Sequence, residues 1–307
     1  MYLPQTDILN RSAIELAYKG AKIHLPAIDS LGEAIELANG KPSSGWKDGG
    51  DPTSKATSSP NWYQTDSWPA CQKLIAEGWI EGREKVAANL AAIFATGAAE
   101  LSCGDAVAHE VGGAYPDVPL YVAGEVCHMV NEGDQLGEKP IIKLIVNTAA
   151  SCGISGTRLM NRGAAITALV DEIESAGNSC EIIATWPAKA RRGGAFYAPM
   201  VRIKAAGEIV PIDDLAFALG HPSMVRRVFF GLLEVDPKTD GKGYEDGYGI
   251  PVDIPADALP SDTIYLRGVV HDGAQYDSAE DAMAVVREIY NKQANEKGLT
   301  VIEGGAL

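Results

Sequence analysis

The sequence lacks the features by which several classes of protein are recognised. Its five cysteines form no CxxC pair, and no apolar run approaches the ~20 residues that would span a bilayer. The N-terminus, MYLPQTDILNRS, has no charged stretch followed by an apolar one, as a secretory signal would. These absences predict a soluble intracellular protein whose thiols are reduced and mostly buried.

Positive charge is also scarce. The net charge is −15, from 26 Lys and Arg against 41 Asp and Glu, which argues against a uniformly basic surface for nucleic acid. The distribution is uneven, however, because residues 139–230 hold 11 Lys and Arg against 7 Asp and Glu. The middle of the chain is therefore locally cationic within an acidic protein.

Apolar patterning predicts a mixed α/β (or α+β) fold and not an OB-fold. The β-branched run IIKLIVN, a Gly/Ser-rich loop, a helical segment ending at Gly177 and the strand SCEIIATW follow one another. This order predicts a βαβ unit with a Rossmann-like or A-domain-like core in a mixed sheet. FYAPMVRIKA and TIYLRGVV are further predicted strands, and the helical stretch between them is interrupted at residues 220–222.

Two regions are predicted along the chain. Residues 1–113 are mainly helical, with helical periodicity over 12–40 and a mobile loop at 41–61 that is rich in Gly, Pro, Ser and Thr. This loop is either a connector or an arm that closes on a ligand. Residues 114–307 form an α/β domain with a core at 140–236 and a C-terminal helix at 278–297, for which Ser278 is the predicted N-cap.

The stretch NTAASCGISGTRLMNRGAA resembles a loop that binds phosphate or metal, but it lacks the required residues. A Walker A loop needs GxxxxGK[ST], whereas Gly156 precedes Thr157-Arg158, and no GxGxxG is present. The metal loop of von Willebrand A-type domains, Asp-x-Ser-x-Ser, aligns with Asn147, Ala149 and Ser151. A divalent cation would lose its carboxylate there, so we predict neither a metal nor a cofactor.

A weaker role for this loop stays open. The backbone N–H groups at the helix start, with Ser155, Thr157, Arg158 and Arg162, could bind one phosphate. The alternative is an ordinary capped helix with Arg162 in a surface ion pair. Cys152 near the helix start and His221 before a proline are candidate catalytic residues, or else a buried thiol and a structural histidine.

The strongest pattern is TWPAKARRGGAFYAPMVRIK, which spans residues 185–204 without one acidic residue. Two interactions contribute to the binding of single-stranded nucleic acid. Cationic side chains contact the phosphates, and aromatic rings stack on the bases. The predicted nucleic-acid-binding residues are Trp186, Lys189, Arg191, Arg192, Phe196, Tyr197, Arg202 and Lys204, extended by Arg158 and Arg162. The alternative is a solvated, Arg-rich hairpin whose aromatic rings belong to the core.

Three segments, RGAAITALVDEIESAGNSCEII, LAFALGHPSMVRRVFFGLLE and SWPACQKLIAEGWIEG, resemble an uncharacterised family of tailed-phage proteins. Within it, the resemblance extends to the single-stranded-DNA-binding cofactor of a phage RNA polymerase (Drc-like). It implies single-stranded DNA and the polymerase as partners, a homo-oligomer, and the host cytoplasm as location. No family site residue is carried over.

The leading hypothesis is therefore a non-enzymatic, sequence-independent binder of single-stranded DNA that acts in phage transcription or replication. The second is a metal-free, A-domain-like scaffold or interaction protein that does not bind nucleic acid. The third is an enzyme that uses Cys152 or His221.

Overall fold

The computed structural model describes most of the chain. The described residues are 14–18, 21–42, 53–95, 108–110, 115–116, 118–122, 124, 126, 128–131, 140–151, 153–190, 195–209, 211–239, 248, 250–269 and 273–302. They form a mixed α/β fold, with parallel and antiparallel strands in its two larger sheets. The predicted fold class is thereby confirmed.

The central sheet has five strands in the order β13-β7-β8-β11-β3. Their bounds are β3 Ala27–Ile28, β7 Ile141–Asn147, β8 Ser179–Thr185, β11 Met200–Lys204 and β13 Thr263–Leu266. β7 is parallel to both β8 and β13, whereas β11 is antiparallel to β8. The predicted βαβ unit is formed by β7, a long helix and β8.

A second sheet, the hairpin sheet, has the order β1-β2-β10-β9-β12. Its strands are β1 Ile14–Tyr18, β2 Ala21–Leu25, β9 Ala188–Lys189, β10 Phe196–Tyr197 and β12 Ile250–Pro251. A third sheet joins β4 Ala108–Glu110, β5 Tyr115–Pro116 and β6 Met129–Asn131. The N-terminal segment thus adds β2 to the hairpin sheet and β3 to the central sheet.

Two of the helices, Gly156–Ser175 and Ala279–Lys297, lie where the sequence predicts them. The bounds of the described helices are α1 Leu31–Ala38, α2 Pro60–Tyr63, α3 Trp68–Glu77, α4 Ile80–Ala95, α5 Val118–Val122, α6 Gly156–Ser175, α7 Ile212–Gly220, α8 Phe230–Val235 and α9 Ala279–Lys297. Ser278 caps α9 by accepting the Asp281 N–H at 3.0 Å, as predicted. None of these described helices is long and apolar enough to cross a bilayer.

Helix α6 is the centre of the helical layer, and it is buried on nearly every side. It packs against α4, α7 and α9 on one face of the central sheet. The opposite face of that sheet, with Ile145, Ile183 and Tyr265, packs against Leu25 and Ile254. Two apolar layers therefore hold the carboxyl end of β7 in a fixed position.

The predicted helical periodicity over 12–40 is wrong for its first half. Ile14–Tyr18 and Ala21–Leu25 are antiparallel strands, with Leu16 opposite Ile23, and only Leu31–Ala38 is helical. The sequence IELAY also fits the two-residue period of a strand, and pairing with β10 decides between the two periods. Long-range pairing has overridden a local helical signal.

The predicted strand FYAPMVRIKA is divided between two sheets. Phe196–Tyr197 pairs with β2 and β9 in the hairpin sheet, whereas Met200–Lys204 pairs with β8 and β3 in the central sheet. Pro199 lies between the two pieces. Since proline cannot donate a ladder hydrogen bond, the strand changes sheets there.

Candidate functional site

The carboxyl ends of the parallel strands β7 and β13 lie next to each other in the central sheet, and we call this position the switch point. Open α/β sheets bind ligands outside the carboxyl ends of their strands. Here Asn147 accepts the Ala149 N–H at 2.8 Å and donates to Val252 O at 3.0 Å and Asp253 Oδ1 at 3.1 Å. The position aligned with a metal-binding aspartate thus holds an amide whose polar atoms have partners within the protein.

The main chain closes the switch point as well. Val269 donates to Ala149 O at 2.8 Å and Ser151 donates to Val269 O at 3.0 Å, so β13 is continued beside the loop. A Cβ on Gly268 would lie 2.7 Å from Ala149 O and 2.9 Å from Asn147 Nδ2. Only glycine fits this approach. Within the described residues, no group of three or more His, Cys, Asp or Glu could hold a metal ion.

Arg162 closes the same edge from helix α6. Its guanidinium is buried and donates to Arg267 O at 2.7 Å at the end of β13. Burial lowers the pKa of Arg162 from its usual value. The prediction that Arg162 binds a phosphate, or forms a surface ion pair, does not agree with this placement.

The remaining polar residues of the loop serve the helix start. Ser155 accepts the Arg158 N–H at 3.3 Å as the N-cap of α6, and Arg158 Nε lies 2.6 Å from Asp277 Oδ1. The Arg158 guanidinium holds the pKa of that carboxyl below its usual value. Arg158 is therefore committed to an ion pair, while Thr157 faces a neighbouring cavity and Cys152 lies outside the described residues.

An open crevice of about 750 Å³ lies beside the closed switch point. Its lining includes Asn61, Gln64, Asp66, Leu74, Trp79, Ile80, Glu81 and His221. A second cavity of about 350 Å³ shares Gln64 and Trp79 with it and reaches Gly156 and Thr157 in the first turn of α6. The crevice, by which we mean the larger cavity, has the size of ordinary ligand sites and lies at the carboxyl side of β7.

The wall of the crevice is a short strained segment. Helix α2 is flanked by Ser59 and Gln64, which have φ values of +67° and +57°. Non-glycine residues seldom adopt this left-handed conformation, and it persists where surrounding contacts impose it. Those contacts come from Arg227, which donates to Thr65 O at 2.9 Å and Ser54 O at 2.9 Å and lies 4.1 Å from the Tyr63 ring centre.

Arg227 lies in a π-helical segment, Met224–Phe229, that follows Pro222. Its neighbour Arg226 covers the Trp62 ring at 4.6 Å. Two consecutive arginines thus hold α2 and the segment before it against the helical layer. π-Helical turns are rare and frequently occur near functional sites.

His221 lies on the floor of the crevice. Its Nδ1 accepts the Ser223 N–H at 3.0 Å, so the neutral ring carries its proton on Nε2. Trp79 contacts the ring edge-on at 4.4 Å and Phe217 stacks on it at 5.2 Å. Burial lowers the pKa of His221 to about 4. This environment favours a neutral, positioned donor over a general base that works near neutral pH.

The predicted DNA-binding hairpin is formed by β9 and β10, but two of its predicted aromatic contacts are buried. Trp186 is 3% exposed and packs against Phe230 at 5.0 Å, and Tyr197 is fully buried. Stacking of these two rings on bases does not agree with the structure. Strand alternation explains the outcome, because Tyr197 pairs with Ala188 on the buried face.

The two predicted phosphate-binding residues after the hairpin, Arg202 and Lys204, form ion pairs with carboxylates. Lys204 is fully buried, and its Nζ lies 2.6 Å from Glu174 Oε1 and 3.0 Å from Cys180 O. Arg202 pairs with Asp29 at 3.1 Å and approaches Glu181 at 3.8 Å. The prediction that both bind phosphates does not agree with this arrangement, since a buried cation must be paired within the protein.

The outward face of the hairpin retains part of the predicted site. Lys189 is exposed, and its Nζ lies 5.7 Å from the ring centre of half-buried Phe196. The two residues pair across the strands. Arg191 and Arg192, which lie between β9 and β10 in the sequence, are outside the described residues.

The comparisons with known proteins yield a family but no activity. The family model described as Domain of unknown function (DUF7192) matches residues 9–296. The chain belongs to this family. Neither the curated proteins nor the solved structures contain a match to it. The description of the DUF7192 family names no source, ligand or partner, so the resemblance to tailed-phage proteins stays a prediction.

Sequence reasoning missed the crevice. Leu74 and Trp79 lie on either side of Gly78, which has a φ of +82° and turns the chain between α3 and α4. The sequence offers His221 as a candidate residue, but it gives no sign that His221 lies beside Trp79. Residues so distant in sequence meet only through the packing of α4 and α7 on α6.

Proposed function

We propose that this protein is a metal-free, A-domain-like interaction protein that binds a partner protein at the carboxyl side of its central sheet. The observation that carries the proposal is the pairing of a closed switch point with an open crevice beside it. Asn147, Gly268 and Arg162 fill the position where a small ligand or cation would sit. The accessible surface is consequently the crevice formed by the helical layer.

The crevice suits recognition better than chemistry. Its buried histidine is neutral and flanked by aromatic rings, and the nearby guanidinium of Arg227 is directed at main-chain carbonyls. Its rim combines amide, carboxylate and apolar side chains, among them Gln64, Asp66 and Ile80. A mixed rim around an aromatic floor is typical of surfaces that bind protein segments.

Site-specific photo-crosslinking tests this proposal. A photoreactive amino acid at Ile80, on the crevice rim, is compared with one at Glu36, an exposed position on α1, in the cell that carries the gene. We expect one protein adduct from position 80 that is absent from position 36 and absent when the Ile80 probe is combined with Trp79→Ala. Absence of adducts from both positions contradicts the proposal.

Single-stranded DNA binding is the second candidate, and the outward pair Lys189 and Phe196 favours it. In this alternative the segment between β9 and β10, with Arg191 and Arg192, follows the backbone of DNA, as the tailed-phage, Drc-like resemblance implies. RNA polymerase and a homo-oligomer belong to the same alternative. An acidic surround would confine DNA to this segment.

Fluorescence anisotropy with labelled single-stranded and duplex oligonucleotides at several salt concentrations separates the two candidates. The interaction proposal predicts no binding at low salt. If single strands do bind, Arg191→Ala with Arg192→Ala should reduce the salt slope by about one to two units. Lys204→Met is the control, since its buried ammonium has no access to DNA.

A further inference from the structure

The crevice has an apolar floor that continues to an exposed side chain. Trp79 is 8% exposed at the base, and Leu74 lies beside it. Ile80, the next residue, is 57% exposed on the rim. A ligand that covers Ile80 while it reaches Trp79 would bury apolar surface that the isolated protein leaves in water.

The rim carries negative charge that the protein neutralises incompletely. Asp66 is exposed and forms no ion pair with the residues that the structure describes. Glu81 pairs with Lys85 at 2.5 Å, but the two side chains are 69% and 55% exposed. An exposed pair of this kind on a helix contributes little to stability, so a ligand cation can replace Lys85.

A third carboxylate lies behind the crevice. Asp213 contacts the position of a Cβ on Gly78 at 3.2 Å, and Gly78 is part of the lining. One of its oxygens bonds Arg83 at 3.0 Å, whereas Oδ1 is buried and has no partner in the described part of the chain. Asp213 thus adds a carboxylate at this end of the crevice, although Arg83 pairs with it.

The arginines near the crevice direct their N–H groups into the protein. Arg227 directs its N–H groups at Thr65, Ser54 and Ala56, away from the open side. Arg226 lies over the Trp62 ring and donates to Trp62 O. His221 on the floor is neutral at ordinary pH. Asp66 and Glu81 thus present carboxylates where a ligand would enter.

We propose that the crevice binds a partner segment that carries a Lys or Arg beside an apolar side chain. The cation contacts Asp66 and Glu81, and the apolar side chain packs on Trp79 and Ile80. The inference rests on the interaction function proposed above and specifies the chemistry of its ligand. Carboxylates around an aromatic floor select such a segment against acidic ones, because like charges would meet on entry.

Selection from a library of random nine-residue peptides displayed on phage tests the ligand chemistry directly. The baits are the wild-type protein, Asp66→Asn with Glu81→Gln, and Glu36→Gln with Glu296→Gln. The last variant makes the same change in net charge at exposed positions on α1 and α9. We expect wild type and the charge-matched control to enrich peptides with Lys or Arg next to an apolar residue.

The enriched peptide is then synthesised with a fluorescent label and titrated by anisotropy. Asp66→Asn with Glu81→Gln should weaken binding about tenfold, which is the effect of two partly exposed ion pairs. Ile80→Ser should weaken it as well, and salt should weaken binding to wild type more than binding to the double variant. Urea unfolding of each variant checks that the fold is retained.

Several results would overturn the inference. They are enrichment of acidic or uncharged peptides, selection of the same peptides by the double variant, and the absence of any peptide that requires Asp66 and Glu81. If position 80 still crosslinks a partner in these cases, the interaction function stands and only the ligand chemistry is wrong. If position 80 gives no adduct, the interaction function itself fails.

Discussion

The switch point and the crevice lie side by side at the carboxyl end of β7, yet they use their polar residues in opposite ways. At the switch point Asn147 and Arg162 bond to neighbouring groups of the protein, and Gly268 leaves no room for a Cβ. In the crevice Asp66 and Glu81 face solvent around Trp79. The comparison shows that a polar, glycine-rich loop after a strand can be structural while helical segments elsewhere line an accessible crevice.

The largest effect is expected from removing the residue that holds the crevice wall. Arg227→Met leaves the acceptors on Ser54, Ala56 and Thr65 without their buried donor. The free energy of unfolding should fall by about 3 kcal/mol or more, measured by urea denaturation. Arg267→Met, at an exposed arginine, should change it by about 0.5 kcal/mol or less, and equal losses would contradict this role for Arg227.

A smaller effect is expected from overfilling the switch point. Gly268→Ala places a Cβ 2.7 Å from Ala149 O, so the bridge between the loop and Val269 must shift. We expect a loss of about 1–3 kcal/mol in thermal or urea unfolding. Gly153→Ala, in the neighbouring loop between β7 and α6, is the matched control, because nothing lies within 4 Å of its Cβ position. An unchanged stability for Gly268→Ala would mean that the switch point is loosely packed.

The neutral His221 predicts a dependence of stability on pH. Its pKa is about 4 in the folded protein against 6.5 for an ordinary histidine, so between these values the unfolded chain binds the extra proton. The contribution of His221 to the free energy of unfolding is fully present above pH 6.5. It decreases between pH 6.5 and pH 4 by up to about 1.4 kcal/mol per pH unit.

His221→Asn, which keeps an acceptor for the Ser223 N–H, should flatten this part of the stability profile relative to wild type. Proton NMR offers an independent measurement, since the His221 ring should not titrate between pH 5 and 8. A histidine resonance assigned to His221 that titrates near pH 6.5 would show that the ring is solvated and the crevice floor is open.

The smallest effect is expected at the rim of the switch point. Arg158 pairs with Asp277, whose side chain is 58% exposed. Arg158→Ala should therefore leave the free energy of unfolding nearly unchanged, measured by urea denaturation beside Gly268→Ala. A loss as large as that of Gly268→Ala would place the rim and the interior of the switch point in one cooperative unit.

Local patterns in the sequence were sufficient for much of the fold. The run IIKLIVN, the break at residues 220–222 and the cap at Ser278 each lie where expected, because burial and capping depend on nearby residues. The strands at 14–25 were not predicted, since pairing with β10 decides them. Local rules fail where the partner is distant in sequence.

The sequence by itself determined that a βαβ unit exists, that its loop lacks the residues of a phosphate or metal site, and that cations and aromatic rings cluster at 185–204. Only the tertiary structure decided which of these side chains reach solvent. Alternation along β9 and β10 turns Tyr197 inward and Lys189 outward, and Glu174 neutralises Lys204. Exposure depends on what packs against each residue, and those neighbours come from segments far apart in the chain.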